Sequence, residues 1–513
     1  MPFPKEFLWG ASESGFQFEM GDRERRSLDA NTDWYIWVHD KENIERGIVS
    51  GDLPENGIDY WDLFKLDHRL AEELGMNAYR VGIEWSRIFP KSTREVDVDI
   101  RIGKIVEMNM DEGDLEKMDK LANKKALQRY REIVMDLRRR GFKVFICINH
   151  FTLPLWIHNP LNMRGSGGKQ GPKGWVDPYT AVEFGKYAGY LAYKFGDIVD
   201  LWVTLNEPIV VAEAGFMLPE AGFPPGFSPG FRSLRMFREA LKNLVSAHVA
   251  AYNMIRNFDD DVSGDCDKPA WVGIVHNLIP TKAVDESREV DAKAAEVFDR
   301  LHNRFLLQAI TDGWLDLNFN GRKEGKEVYT SFSNKVDWIG INYYSYLACR
   351  GRRSILAKIF MGFEVLPKIV RGYGIACDPN TVTERGRPTS DFGWELYPEG
   401  LYDVMRSVEE FGRPIIITEN GIADAKDKLR GRFLIEHLEM LEKIIDEGHD
   451  VRGYLHWALT DNYEWAHGFR MKFGLVEVDL AIKERRKRRS CKIMKSIIEK
   501  RSVTEEIRRM IEG

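Results

Sequence analysis

Eight short apolar runs constrain this chain more than any other feature: FLWGASESGF, NAYRVGIEWS, KVFICINHF, DLWVTLNEP, PAWVGIVHN, VDWIGINYY, RPIIITENG and VRGYLHWALTD. They are continuously apolar instead of alternating with polar residues, so each suits a parallel strand covered on both faces. Amphipathic segments lie between them. In LQRYREIVMDLRRRG the positions Tyr130, Ile133, Val134 and Leu137 keep helical spacing, and Gly141 stands where a C-terminal cap belongs. Strand and helix alternating eight times predicts an α/β fold, a single (β/α)8 TIM barrel spanning residues 1–513. Length beyond a minimal barrel is expected as βα-loop insertions at about 91–125 and 351–373 and a C-terminal extension at about 480–513.

Composition narrows the partner. Hydrophobic residues make up 43% and charged residues 30%, which is the profile of a globular chain rather than a disordered or membranous one. With 74 Lys plus Arg against 80 Asp plus Glu the net charge is -6, which disfavours a nucleic-acid partner and points to an uncharged small molecule. No stretch is apolar enough for a membrane span and MPFPKEFLWG is not a signal peptide, so the expected location is cytoplasmic. Cys147, Cys266, Cys349, Cys377 and Cys491 are scattered without CxxC spacing, so neither a zinc knot nor a disulfide framework is expected, and no cofactor is indicated. Glutamine is confined to Gln17, Gln128, Gln170 and Gln308 while Lys, Arg and Glu abound, a bias of heat-adapted proteins. The run KERRKRR at 483–489 is read as a solvated face leading into the last helix.

In a barrel of this kind the active site lies at the C-terminal strand ends, so the polar residues that close the apolar runs are the candidates. They are Gln17, Arg80 and Glu84, Asn149 and His150, Asn206 and Glu207, Asn342 and Tyr344, Glu419, and Trp457. Each alone has a structural reading, but a barrel brings them to one pocket. Glu207 after the fourth run and Glu419 in the seventh are what glycoside hydrolysis needs: one carboxyl protonates the leaving oxygen and the other attacks or activates water. Arg80 and the Tyr344 hydroxyl are candidates to hold Glu419 as the anion, while Glu207 has no such cation and keeps its proton.

WVTLNEP and IIITENG resemble the acid/base and nucleophile signatures of family 1 glycoside hydrolases. RVGIEWSRIFP, NHFTLP, DWIGINYY and LHWALTDNYEWAHGF resemble that family's other segments, in the expected order from about Pro4 to Asp479. The charged insertion and the C-terminal extension resemble the archaeal β-glycosidases. The resemblance implies a retaining exo-β-glycosidase that removes terminal non-reducing gluco-, galacto- or manno-configured residues, with Glu207 as acid/base and Glu419 as nucleophile. It also implies that Arg80 and Tyr344 bracket the nucleophile, that Asn206 meets the sugar 2-hydroxyl, that Asn342 belongs to the same site, and that Gln17, His150, Trp457, Glu464 and Trp465 bind the remaining hydroxyls. Amides, imidazole, indole N–H and carboxylate all hydrogen-bond hydroxyls, and indoles stack on sugar faces. Relatives with such an extension are often dimers or tetramers, so a homo-oligomer is expected.

Three other readings are open to a barrel. A metal-dependent hydrolase wants paired histidines, and the sequence has no HxH or HExxH. A noncatalytic sugar-binding barrel would lack one of the glutamates. A 6-phospho-β-glycosidase needs Ser, Lys and Tyr where this chain has Glu464, Met471 and Phe473, and a carboxylate beside phosphate is repulsive.

Overall fold

The computed structural model describes residues 2–225, 233–260 and 269–511, which leaves Cys266 outside the described residues. Its centre is a closed barrel of eight parallel strands: β1 (Leu8–Ser12), β2 (Ala78–Gly82), β3 (Lys143–Asn149), β4 (Leu201–Asn206), β5 (Trp271–Asn277), β6 (Trp338–Tyr343), β7 (Ile415–Asn420) and β8 (Val451–His456). Each strand pairs with the next in sequence, and β1 closes the ring against β8. All eight apolar runs form these strands. The segment with helical spacing is the helix Lys124–Arg139, which buries Tyr130, Ile133, Val134 and Leu137 and ends before Gly141 at φ +83°.

The continuous apolarity of the strands divides between two cores. Phe145, Cys147, Val203, Val275, Trp338, Ile416 and Leu455 point inward and fill the barrel, while the alternate residues join the larger core under the helices. Trp338 dominates the interior, edge-on to Phe145 at 5.6 Å. It fits because Gly273 faces it: a Cβ there would lie 2.3 Å from the indole. This plug closes the barrel from below, so polar side chains can project inward only at its upper end.

Two of the strands are irregular at that upper end. The pairing of β4 with β5 shifts register between Val203 and Asn206, and that of β7 with β6 between Ile417 and Glu419. An extra residue in a strand turns the following side chain to the other face. Both glutamates therefore come just after a place where the pleat has slipped.

The expected insertions take defined form. Residues 91–125 contain an antiparallel hairpin (Asp99–Ile102 with Val106–Asn109) and the helix Glu112–Leu121. Residues 351–373 contain most of a hairpin, Leu347–Arg353 with Val365–Ile369, which joins Thr281–Ala283 in a small sheet beside the barrel mouth. The C-terminal segment supplies the helix Ser490–Lys500, packed on the helix Arg430–Asp446. The reading of 483–489 as a solvated face needs correction. Arg485 lies buried on Asp67, with both contacts at 2.9 Å, and Arg488 on Asp461, at 2.8 and 2.9 Å. A short strand Arg485–Lys487 runs through the segment, and the buried acids select which of its cations turn inward.

Candidate active site

Glu207 follows the last residue of β4 and begins the helix Pro208–Phe216. Its backbone is left-handed, φ +49° and ψ +53°, immediately before a proline, a conformation that costs a residue with a Cβ about 1–2 kcal/mol. The backbone is held there by its N–H on the Val275 carbonyl at 2.8 Å. Pro208 is suited to the first helical position, where no N–H is needed. Glu419 is the penultimate residue of β7, and the glycine that follows the strand has its own reason: a Cβ on Gly421 would sit 1.8 Å from the Trp457 carbonyl. The chain breakers after both glutamates thus belong to the turns that hold them.

A chain of hydrogen bonds connects the two carboxyl groups. Asn342 Nδ2 donates to Glu207 Oε1 at 2.7 Å and to Asn206 Oδ1 at 3.2 Å. Asn206 Oδ1 also accepts from Arg80 Nη1 at 3.2 Å, and Arg80 Nη2 is paired with Glu419 Oε1. The Tyr344 hydroxyl donates to the other oxygen, Glu419 Oε2, at 2.6 Å. Thr418 Oγ1 donates to Asn342 Oδ1 at 2.8 Å, which fixes the amide so that its N–H groups point at Glu207 and Asn206.

This arrangement treats the carboxyls differently. Glu419 accepts from a guanidinium and a hydroxyl, and burial beside Glu419 drives the Tyr344 pKa well above its usual value, so the phenol keeps the proton it donates. Glu207 faces one amide. Burial and then the charge of Glu419 push its pKa up to about 8, against the weaker pull of Asn342, Arg80 and His302. A site with one carboxyl paired to a guanidinium and a phenol and another whose pKa is raised can attack and protonate in one step.

Between them lies a cavity of ≈ 380 Å³. Of the residues expected from sequence, His150, Glu207, Tyr344, Glu419, Trp457, Glu464 and Trp465 line it. Gln17, Arg80, Asn206 and Asn342 are buried behind that lining and hold it in place. Gln17 donates to Glu464 Oε2 at 3.3 Å and to Asn462 at 3.2 Å, and Ser14 orients its amide oxygen. Asn206 donates to His150 Nε2 at 3.2 Å, leaving Nδ1 buried without a protein partner. Burial and then Arg80 push the His150 pKa well down, so the ring is neutral and its free nitrogen is the N–H. The His150 ring stacks between the two indoles, 5.9 Å from Trp457 and 5.8 Å from Trp465.

Two sequence-level expectations shift in detail. Glu464 was expected as a plain carboxylate, but burial and then the charges of Glu419 and Glu207 raise its pKa to about 8, because three carboxyls facing one cavity cannot all ionise. Glu84 does not belong to the cavity: it accepts from the Phe16 N–H at 3.0 Å and from Thr152 at 2.6 Å, tying the loop after β1 to the loop after β3. Asn149 likewise turns its amide to the Thr152 carbonyl at 2.8 Å.

Sequence reasoning missed most of the cavity's other wall. Leu218, Ile279, Leu347, Ile369, Ile375 and Phe392 form an apolar side, and Glu213 and His302 lie near Glu207. None of these residues closes a strand of the barrel. No lysine or arginine lines the cavity among the described residues, and the His302 imidazole on the lining is already paired with Glu213. No group of acids, histidines or cysteines among them could hold a metal ion.

The sequence model of Glycosyl hydrolase family 1 matches residues 1–99 and 117–503, and the gap falls on the hairpin and helix of the first insertion. A β-galactosidase of Pyrococcus woesei is 46% identical over 98% of each chain. Among solved structures, the β-glycosidase from the hyperthermophile Thermosphaera aggregans is 39% identical with a TM-score of 0.89, covering 100% of this chain and 99% of that one. A β-glucosidase mutant described as derived from a hyperthermophilic tetrameric structure is 40% identical with a TM-score of 0.86, covering 100% and 98%.

Proposed function

The chain belongs to glycosyl hydrolase family 1 and is a β-glycosidase; from that premise we propose which of its residues carry the reaction. Glu419 attacks the anomeric carbon while Glu207 protonates the departing oxygen, giving a β-glycoside's leaving group and a glycosyl ester on Glu419. Ester formation removes the charge of Glu419, one of the two influences that raise the Glu207 pKa, so Glu207 now takes a proton from water, which attacks the anomeric carbon and releases Glu419. Two inversions give net retention. Asn206 is assigned to the sugar 2-hydroxyl, with Asn342 orienting both it and Glu207. His150 Nδ1–H, the Trp457 indole N–H and Glu464 are assigned to the other hydroxyls, with Gln17 setting Glu464 and Trp465 forming the stacking wall. The 6-phosphoglycoside reading is set aside, since a phosphate here would meet three carboxyls and no ammonium or guanidinium on the lining.

The observation that carries this reading is the asymmetric relay from Glu207 through Asn342, Asn206 and Arg80 to Glu419. The test is covalent. A 2-deoxy-2-fluoro β-glycoside with a good leaving group should accumulate an ester on Glu419, and the first sugar released from an ordinary substrate should be the β-anomer. A label on another residue, or an α-anomer as first product, overturns the assignment.

The same proposal treats residues 1–513 as one glycoside hydrolase domain. Assembly into a dimer or tetramer rests on the relative described as tetrameric in origin. Cytoplasmic action also belongs to the proposal, next to the observation that no helix among the described residues is long and apolar enough to cross a membrane.

A further inference from the structure

Glu213 and His302 form an ion pair that the mechanism above does not use. Glu213 stands on the helix Pro208–Phe216, which Glu207 begins, and its Oε2 meets His302 Nδ1 at 2.9 Å. The histidine side chain is 2% exposed and the glutamate 17%. His302 lies in a single π-turn, Arg300–Arg304, between the helices Glu289–Asp299 and Phe305–Thr311. Such bulges gather at functional sites.

The turn is fastened to the end of β5. Asn303 accepts the Ile279 N–H at 2.9 Å and donates to the Ile279 carbonyl at 2.9 Å, and its own carbonyl accepts from His276 Nε2 at 3.2 Å. His302 is thereby wedged between His276 and Phe298, with ring centroids 5.9 and 5.1 Å away. Its Nε2 is buried without a hydrogen-bond partner, while Nδ1 meets the carboxylate. A ring nitrogen held against a buried carboxylate favours the imidazolium.

The charged groups around it are few. From the helix below come Glu213 and Glu207, and from β5 comes His276, whose pKa is pushed down to about 3 by burial and then by His302. On its own turn, Arg304 is engaged with Asp299 at 2.7 Å, and Arg300 donates to the Phe319 carbonyl at 3.0 Å. Burial opposes charge on His302, but Glu213 and then Glu207 outweigh it, and the net shift is upward. The reverse effect is present too, since His302 lowers the pKa of Glu207.

We propose that the Glu213–His302 pair is a positioning device for the acid/base, holding an imidazolium beside Glu207 that favours its return from acid to base once the glycosyl ester has formed. Arg80 is paired with Glu419, whereas His302 lines the same cavity as Glu207 and is paired with a residue of the helix that Glu207 begins. The proposal rests on the reading of Glu207 as the acid/base.

The experiment compares the full-length protein with Glu213→Gln, which keeps an acceptor for Nδ1–H but removes the charge, and with His302→Phe, which keeps the stacking. Removing a cation raises the pKa of Glu207. The alkaline limb of kcat/KM for a glycoside with a poor leaving group should therefore move up by about half a pH unit or more in His302→Phe, and by less in Glu213→Gln, which discharges the imidazole but also removes an anion. The acid limb of kcat for a highly activated aryl glycoside, limited by ester hydrolysis, should move up with it, while KM changes little. Unmoved limbs with a lowered Tm would reduce the pair to a structural pin, and a raised KM with unmoved limbs would make it a contact to the leaving group. Either result overturns the proposal. Azide rescue of Glu207→Ala, measured alongside, separates failure of this proposal from failure of the acid/base assignment.

Discussion

The two walls of the cavity are built on different principles. The wall formed by His150, Trp457, Glu464 and Trp465 is backed by a second layer in which Gln17, Asn206, Asn342 and Arg80 fix the lining groups by hydrogen bonds. Another part of the lining, with Leu218, Ile279, Leu347, Ile369 and Ile375, is aliphatic and draws on the inserted hairpin. The first wall can discriminate one hydroxyl from another, because a buried polar group left unpaired is costly. The second offers area without direction, so it ranks leaving groups by size and apolarity. That contrast predicts strict selection of the sugar and tolerance of what is attached to it.

Removing Glu207 should produce the sharpest break between the walls. Glu207→Ala should slow glycosides with poor leaving groups by about 10²- to 10⁴-fold, while those that need no protonation lose far less in the first step. In the native protein the acid form is present below the raised pKa of about 8, so kcat/KM on poor leaving groups should fall as pH rises through that value, and the variant should lose that limb. Equal losses on both substrate types, with the limb retained, would place the acid elsewhere.

Glu464→Ser probes the hydrogen-bonding wall alone. Loss of one or two hydrogen bonds to a largely protonated carboxyl, each worth about 1 kcal/mol, predicts a fall in kcat/KM of about five- to thirtyfold on neutral glycosides, the same whatever the leaving group. A loss that varied with the leaving group would mean that the two walls are not independent.

The smallest effect is expected on the aliphatic wall. Ile369→Ser should weaken kcat/KM for alkyl or aryl glycosides by a few-fold, in keeping with about 0.8 kcal/mol per buried methylene, and leave disaccharides nearly unchanged. A uniform loss across both substrate classes would show that the hairpin shapes the whole cavity and not this side of it.

The same contrast separates what sequence could reveal from what it could not. The strands were readable because a strand covered on both faces has to be apolar at every position, and Asn206, Asn342, Glu419, His150 and Trp457 because they stand at or next to strand ends, whereas Glu464 and Trp465, in the loop after β8, were legible only through the family resemblance. The aliphatic wall comes from loops and an inserted hairpin, where Leu347 or Ile369 looks like any core residue. Glu213 and His302 sit on a helix and a π-turn, elements whose facing depends on packing that local pattern does not encode. Arg485 and Arg488 were misread for a related reason: in a run of cations, only the distant acids Asp67 and Asp461 decide which side chains are buried.

The slipped registers in β4 and β7 bear on protein engineering. Writing a glutamate into the last position of a regular strand in some other parallel barrel would aim half of such substitutions at the surrounding helices. Transplanting this chemistry requires moving backbone as well as side chains: the irregular strand end, the left-handed residue before Pro208, and a glycine where the neighbouring chain crosses at Trp457. A recipient lacking them would hold the right letters in the wrong directions, and inserting or deleting one residue at these strand ends is a better starting point for redesign than exchanging one.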